Sequence, residues 1–238
     1  MALPFFYVAD CDPSSPGVIL DEETSRHIVQ VLRMKKGERL NITDGKGILL
    51  TCVIIEDHKK HCTVSVETKI QNPKSKINIA IGISLLKNPS RFEWFLEKAT
   101  EIGVDEIIPL ICERTEKEKF RHDRLHTILV SAMIQSQQCW LPVLHEPIAY
   151  ELLFRQEEVA NISDRFIAHC DEGEKTNLAR SAQHSSLSRI ILVGPEGDFT
   201  KGEIELAIRH QFKPVSLGQT RLRAETAGVV AASILMNN

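Results

Sequence analysis

The chain has 238 residues, 42% of them hydrophobic and 26% charged, a balance that excludes disordered, collagen-like and disulfide-scaffold proteins. It carries 29 Lys and Arg against 32 Asp and Glu, a formal net charge of −3, so it lacks the overall basic excess of a general nucleic-acid binder and any RNA contact must come from local patches. No apolar run approaches the roughly 18 residues that cross a bilayer, and the start MALPFFYVAD lacks a basic region followed by a long apolar stretch, so a membrane-spanning or secreted protein is not expected.

Residues 1–73 read as a small, mostly β module. Short β-like runs cover Leu3 to Val8, Arg39 to Thr43, Ile48 to Ile55 and Thr63 to Val66, with Asp44-Gly45 as a hairpin-type turn. One helix interrupts them from Glu22 to Met34, where Ile28, Val31 and Leu32 recur at helical spacing and Asp21 or Thr24 caps the start. The polar segment Gln71 to Lys76, which contains Pro73, suits a boundary between a domain of residues 1–73 and one of residues 74–238.

From Ile77 the pattern changes. A strand (Ile77 to Leu85) leads into a helix with a Ser90/Glu93 capping box, an apolar face of Phe92, Phe95, Leu96 and Ala99, and a stop at Gly103. There follow a strand over Asp105 to Cys112, a helix over about Arg121 to Gln138, a stretch without clear pattern, and strands over Arg165 to Cys170 and Arg189 to Val193. The chain closes with a helix from Thr200 to Phe212 headed by a Thr200/Glu203 capping box, a strand over Val215 to Leu217, and a helix from about Ala224. Strands alternating with helices predict an α/β domain with a parallel sheet covered on both faces.

Six cysteines are scattered with no C-x-x-C pair, which argues for reduced thiols rather than a zinc ribbon. His58, His61 and Cys62 crowd together, as do His122 and His126, without a metal-site motif; they read as surface histidines, and no metal is called for. The mixed run Glu113 to Arg121 reads as a solvated face whose arginines are available to RNA.

Open α/β sheets hold ligands at the carboxyl ends of their strands. Two loops stand there: Gly194-Pro195-Glu196-Gly197, and the run Leu217 to Thr226. Their glycines permit close approach of backbone to a flat polar ligand. Neither has the spacing of a dinucleotide or phosphate loop, and the first lacks the serine of a hydrolase elbow.

Taken together, GPEGDFT at 194–200 and LGQTRLRAETA at 217–227 resemble the RsmE-type 16S rRNA (uracil-N3)-methyltransferase family of the SPOUT superfamily. The likeness extends to LPFFY at 3–7, VLRMKKGE at 31–38 after His27, LLKNPSRFEW at 85–94, EKATEIGV at 97–104, Glu113-Arg114-Thr115 and AMIQSQQCWLP at 132–142, nearly the whole chain. The chain departs from the family at Asp198, where glycine is usual, and at Ile134 and Gln138, where a glutamate and an arginine are common.

The resemblance implies an N-terminal PUA-like β-barrel that binds RNA and a C-terminal SPOUT α/β domain tied in a deep trefoil knot, a topology that general rules make rare. It implies S-adenosyl-L-methionine as cofactor and a cytoplasmic homodimer that methylates uridine N3, at position 1498 in standard small-subunit numbering, in the 16S rRNA of the assembled 30S subunit. Cofactor contacts are then expected from Leu85, Gly194, Pro195, Glu196, Gly197, Leu217, Gly218, Leu222, Arg223, Ala224, Thr226 and Ala227. Arg223 is the candidate to stabilise negative charge on the uracil oxygens, and Glu225 either orients Arg223 or accepts the N3 proton. Phosphate contacts are expected from Arg26, Arg33, Lys35, Lys36, Lys87, Arg91 and Arg114, and base stacking from Phe5, Phe6 or Tyr7. Two alternatives share these residues: methylation of a transfer RNA ribose 2′-hydroxyl, and a non-catalytic RNA-binding or ribosome-assembly factor.

Overall fold

The computed structural model describes residues 3–9, 11, 17–116, 119–182 and 187–237; Lys117 and Glu118, within the mixed-charge run, lie outside them. The chain divides into two compact units, residues 1–74 with 133–141, and residues 75–132 with 142–238.

The first unit contains β1 (Phe5–Tyr7), β2 (Gly17–Ile19), α1 (Glu22–Arg26), β3 (Arg39–Thr43), β4 (Ile48–Glu56) and β5 (Thr63–Gln71). They form a five-stranded sheet in the order β1-β3-β4-β5-β2, parallel only between β1 and β3. Alternation on β4 turns Leu50, Cys52 and Ile54 inward, where they meet Leu40, Ile42, Val64 and Ile28 in one apolar core. On β1 the same alternation buries Phe6 and leaves Phe5 and Tyr7 half-buried.

The expected helix from Glu22 to Met34 is corrected. Asp21 caps it, its Oδ1 accepting from Thr24 N at 2.7 Å, but after Arg26 the chain widens into a π-helical turn over His27–Val31. Ile28 stays fully buried while Val31 and Leu32 are 66% and 43% exposed, so the widened turn breaks the 3.6-residue face that the three share in the sequence. In the β3–β4 turn Asp44 Oδ1 accepts from Lys46 N and Ile48 N. Residues 139–141 close on that turn: Gly47 N donates to Cys139 O and Leu141 N to Gly45 O.

The second unit contains, in order, β6 (Asn78–Ser84), α2 (Pro89–Ile102), β7 (Glu106–Ile111), α3 (His122–Gln135), β8 (Val143–Leu144), β9 (Ile148–Ala149), α4 (Tyr150–Leu153), α5 (Glu157–Ala160), β10 (Asp164–Ala168), β11 (Thr176–Asn177), α6 (Leu178–Ser181), β12 (Ser188–Val193), α7 (Lys201–Arg209), β13 (Lys213–Ser216) and α8 (Ala224–Met236). The sheet runs β11-β13-β10-β12-β6-β7-β8, with β9 also on β7, and each pairing is parallel. Its central strands β6 and β12 are buried along nearly their whole length, as a sheet covered on both faces requires.

One face packs Ile108, Leu110, Ile190 and Leu192 against Tyr150, Phe154, Phe199 and Phe212. On the other, α8 lies against α2 and β6, and Gly228 sets the approach: a Cβ there would fall 2.6 Å from Phe95 Cε2 and 3.1 Å from Ile83 Cδ1. The cap of α2 also differs from expectation. Asn88 is the cap, accepting from Ser90 N at 3.0 Å ahead of Pro89 at the first helical position. Glu93 is thereby left to pair with Arg124 through two hydrogen bonds of 2.6 and 2.9 Å. The Thr200/Glu203 capping box of α7 is formed as expected.

Candidate active site

Parallel pairing aligns the ends of three strands. Ala168 at the end of β10 is in register with Val193 at the end of β12 and with Val215 of β13, so the segments that follow converge at one edge of the sheet. They enclose a cavity of about 750 Å³ lined by Ala168, His169, Cys170, Lys175, Val193 to Glu196, Asp198, Val215 to Ala224 and Ala227. That size suits a cofactor-sized ligand.

Of the twelve expected cofactor residues, Gly194, Pro195, Glu196, Leu217, Gly218, Leu222, Arg223, Ala224 and Ala227 are brought together on this wall. Four site residues are placed off it. Leu85 is buried and lines a smaller pocket with Leu86, Phe92, Phe120 and Leu125. The carbonyl of Gly197 faces Arg114, whose Nη1 donates to it at 2.6 Å. Thr226 and Glu225 sit in the first turn of α8.

The first loop is held by its own backbone. Gly194 is pressed against the returning chain, since a Cβ would lie 3.0 Å from Phe199 N, and Asp198 N donates to Pro195 O at 2.9 Å. Asp198 has a left-handed φ of 64°, which explains why glycine is the easy choice at this position. The aspartate offsets that strain with its carboxylate: Oδ1 accepts from Phe199 N at 2.8 Å and Oδ2 from Cys170 N at 2.7 Å. It ties the loop after β12 to the segment after β10. Glu196 Oε1 accepts from Lys87 N at 3.1 Å.

Arg223 caps α8 with extended backbone (φ −70°, ψ 154°), its carbonyl accepting from Ala227 N. This turns the end of the 217–223 loop along the cavity wall. Glu225 is buried, with Oε1 3.6 Å from Arg91 Nε rather than from Arg223 and Oε2 without a hydrogen-bond partner.

The wall also contains groups that the motifs did not reveal: His169, Cys170 and Lys175, reached only through the pairing of β10. Burial, and then Lys175, hold the His169 imidazole below its ordinary pKa, opposed by Asp198 and Asp171, which favours the neutral ring. Five of the six cysteines are buried and Cys170 is exposed; burial pushes Cys52 up to about 11 and Cys112 up to about 12. One equivalent of a water-soluble maleimide is therefore expected to label Cys170 first, read by peptide mass mapping. Labelling spread evenly over the cysteines would contradict this placement.

The expected RNA-contacting cations fall on both units. Arg26, Arg33, Lys35 and Lys36 are exposed on the first, Arg33 with a left-handed φ of 56° and Lys35 Nζ 3.6 Å from Asp57. On the second, Lys87 pairs with Glu116 at 2.6 Å, Arg91 faces Glu225 and Arg114 holds the Gly197 carbonyl. Among the described residues no group of three or more His, Cys, Asp or Glu is arranged to hold a metal ion, and no helix is long and apolar enough to cross a membrane.

A parallel sheet with a loop-lined cavity at its carboxyl edge, following a small β module in the chain, is the architecture of a nucleotide-cofactor enzyme with an appended recognition domain. The RNA methyltransferase domain family matches residues 73–236, and the RNA methyltransferase PUA domain family matches residues 20–67. A ribosomal RNA small subunit methyltransferase E from Synechocystis is 33% identical over 221 residues, covering 90% of this chain and 71% of that protein. A crystal structure of a probable rRNA methyltransferase from Porphyromonas gingivalis superposes with a TM-score of 0.86 at 38% identity, over 97% of this chain and 95% of that one. The Neisseria gonorrhoeae ribosomal RNA small subunit methyltransferase E, bound to S-adenosyl methionine, gives a TM-score of 0.86 at 27% identity over 99% and 98% of the two chains. The chain belongs to the ribosomal RNA small subunit methyltransferase E family, with a PUA-like N-terminal domain and a SPOUT-type parallel-sheet domain.

Proposed function

We propose that this enzyme transfers a methyl group from S-adenosylmethionine to N3 of a uridine in 16S rRNA within the assembled small ribosomal subunit. The observation that carries this reading is the cavity, where the two loops meet at a single edge of the sheet with Arg221 and Arg223 in the lining. The residues present fit such a donor. The volume is adequate, the Gly218 Cα opens onto empty space, and two buried ring nitrogens of His169 lack a partner.

S-adenosylmethionine, when bound, supplies an electrophilic methyl carbon on a sulfonium. In this reading the main-chain groups of Leu217, Gly218, Leu222 and Ala224 grip the adenine, with Ala227 on the same wall and Thr226 as a further contact from the first turn of α8. Gly194, Pro195, Glu196 and Gly197 flank the ribose or methionine part. Arg223 stabilises the negative charge that spreads onto the uracil oxygens as the N3 proton leaves, its planar fork offering two fixed hydrogen bonds. Glu225 either accepts that proton or fixes Arg91, the cation it faces at 3.6 Å.

Residues 74–238 form the catalytic domain in this reading and residues 1–73 the RNA-binding domain. The knot accords with the path of the chain: β13 lies beyond β10 from β12, yet α8, which follows it, returns to pack on β6 and α2. The homodimer and the cytoplasmic setting rest on the family. The test is incubation with labelled donor and small subunits from cells lacking the enzyme, followed by mapping of the modified base. N3-methyluridine is expected; a 2′-O-methylated nucleoside, or no transfer, would refute the assignment.

Arg33 and Lys36 serve as phosphate contacts that position the RNA without reading its sequence. Replacing both with alanine is expected to weaken binding similarly for all RNA sequences and to lower the slope of log affinity against log salt by roughly 2. Filter binding across a salt series measures this, and an unchanged slope would contradict it.

A further inference from the structure

His169 stands at the end of β10, one residue after Ala168, with its backbone fixed from both sides. Its carbonyl accepts from Lys175 Nζ at 3.2 Å, and the next peptide N–H, that of Cys170, is held by Asp198 Oδ2 at 2.7 Å. The ring lines the cavity, and both Nδ1 and Nε2 are buried without a hydrogen-bond partner. Buried polar atoms are rarely left unpaired, and a ligand site is where such a cost is relieved on binding. We infer that His169 is a hydrogen-bonding residue for the bound methyl donor and acts as neutral imidazole, so that donor affinity is lost on acidification. The inference rests on the cavity being the donor site.

A neutral imidazole offers one N–H donor and one acceptor, matching a hydroxyl or amine of the donor; an imidazolium has no acceptor. The charged groups around the ring are Lys175 and Asp171 on its own loop and Asp198 on the loop after β12, while Glu196, Arg221 and Arg223 line the same cavity. Burial and Lys175 outweigh the two aspartates, so the free protein already favours the neutral ring. A cationic sulfonium in the cavity disfavours the imidazolium further. The sign follows: the complex binds fewer protons at His169 than the free protein does. Affinity is therefore complete above the pKa of the free imidazole and falls as pH drops through it, by about tenfold per pH unit until the pKa of the complex is reached.

The test is calorimetric titration of the full chain with S-adenosylmethionine and S-adenosylhomocysteine between about pH 5 and about pH 8, for the wild type and His169→Asn, which keeps a donor and an acceptor but does not titrate. The wild type should lose affinity on acidification, and His169→Asn should bind more weakly at pH 8 with a flat profile over the acidic range. In addition, the imidazole C–H signal of His169 followed by NMR in the wild type should show its pKa falling when S-adenosylhomocysteine is added, a readout that does not depend on the folding of any variant. A flat wild-type profile, an unchanged slope in His169→Asn, or an imidazole pKa indifferent to ligand would overturn the inference while leaving the donor site in place. Absence of binding by the wild type at every pH would overturn the donor site itself.

Discussion

Arg223→Ala is expected to slow methyl transfer by roughly a hundredfold, the scale for removing a group aimed at developing charge. Affinity for S-adenosylhomocysteine should change only a few-fold if, as proposed, the main-chain groups of Leu217, Gly218, Leu222 and Ala224 grip the adenine. Arg223→Lys should not restore the rate, since an ammonium lacks the planar two-donor fork. Single-turnover transfer of labelled methyl groups to small subunits measures the rate and equilibrium titration the affinity; a wild-type rate in Arg223→Ala would remove this residue from the chemistry. Glu225→Gln divides the two roles left to Glu225. A proton acceptor would lose the rise of rate with pH. A residue that only fixes Arg91 would lose rate equally at all pH values, and Arg91→Ala would reproduce the loss.

The second large effect concerns stability. Gly228→Ala places a methyl group 2.6 Å from Phe95 Cε2 and 3.1 Å from Ile83 Cδ1, and Phe95 is fully buried and cannot swing away. Overpacking of this kind costs about 1–3 kcal/mol, and each kcal/mol lowers Tm by about 2–4 °C in a chain of this size. The consequence reaches the active site, because α8 starts at Ala224 and Ala227 is on the cavity wall. Pushing α8 away from α2 is expected to weaken donor binding along with the fold. Thermal unfolding followed by circular dichroism, with and without S-adenosylhomocysteine, measures both; an unchanged Tm would show that Phe95 repacks.

What could be read from the sequence was whatever depends on short stretches of chain. The two loops announced themselves because glycine and proline punctuate strand ends, and the Thr200/Glu203 box because its two hydrogen bonds join residues three apart. The third wall of the cavity was not legible. His169 and Cys170 read in the sequence as the last residues of a strand, whereas β10 ends at Ala168, and their place on the wall depends on β10 pairing with β12 and β13, a contact between distant segments. Residues 133–141 belong with the first unit, and nothing in a helical pattern says which core it will join. The π-helical turn over His27–Val31 was hidden because Ile28, Val31 and Leu32 have helical spacing, although only Ile28 is buried. Asp198, seen in the sequence as a departure from glycine, is intelligible only once its left-handed φ and its bond to Cys170 are known.

The most direct measurement is a crystal structure of the chain grown with S-adenosylhomocysteine. The ligand should lie in the cavity at the ends of β10, β12 and β13, its adenine against the backbone of Leu217 to Ala224 and a polar atom within hydrogen-bonding distance of the His169 ring. Ligand density at any other place on the molecule, with this cavity empty, would contradict the account.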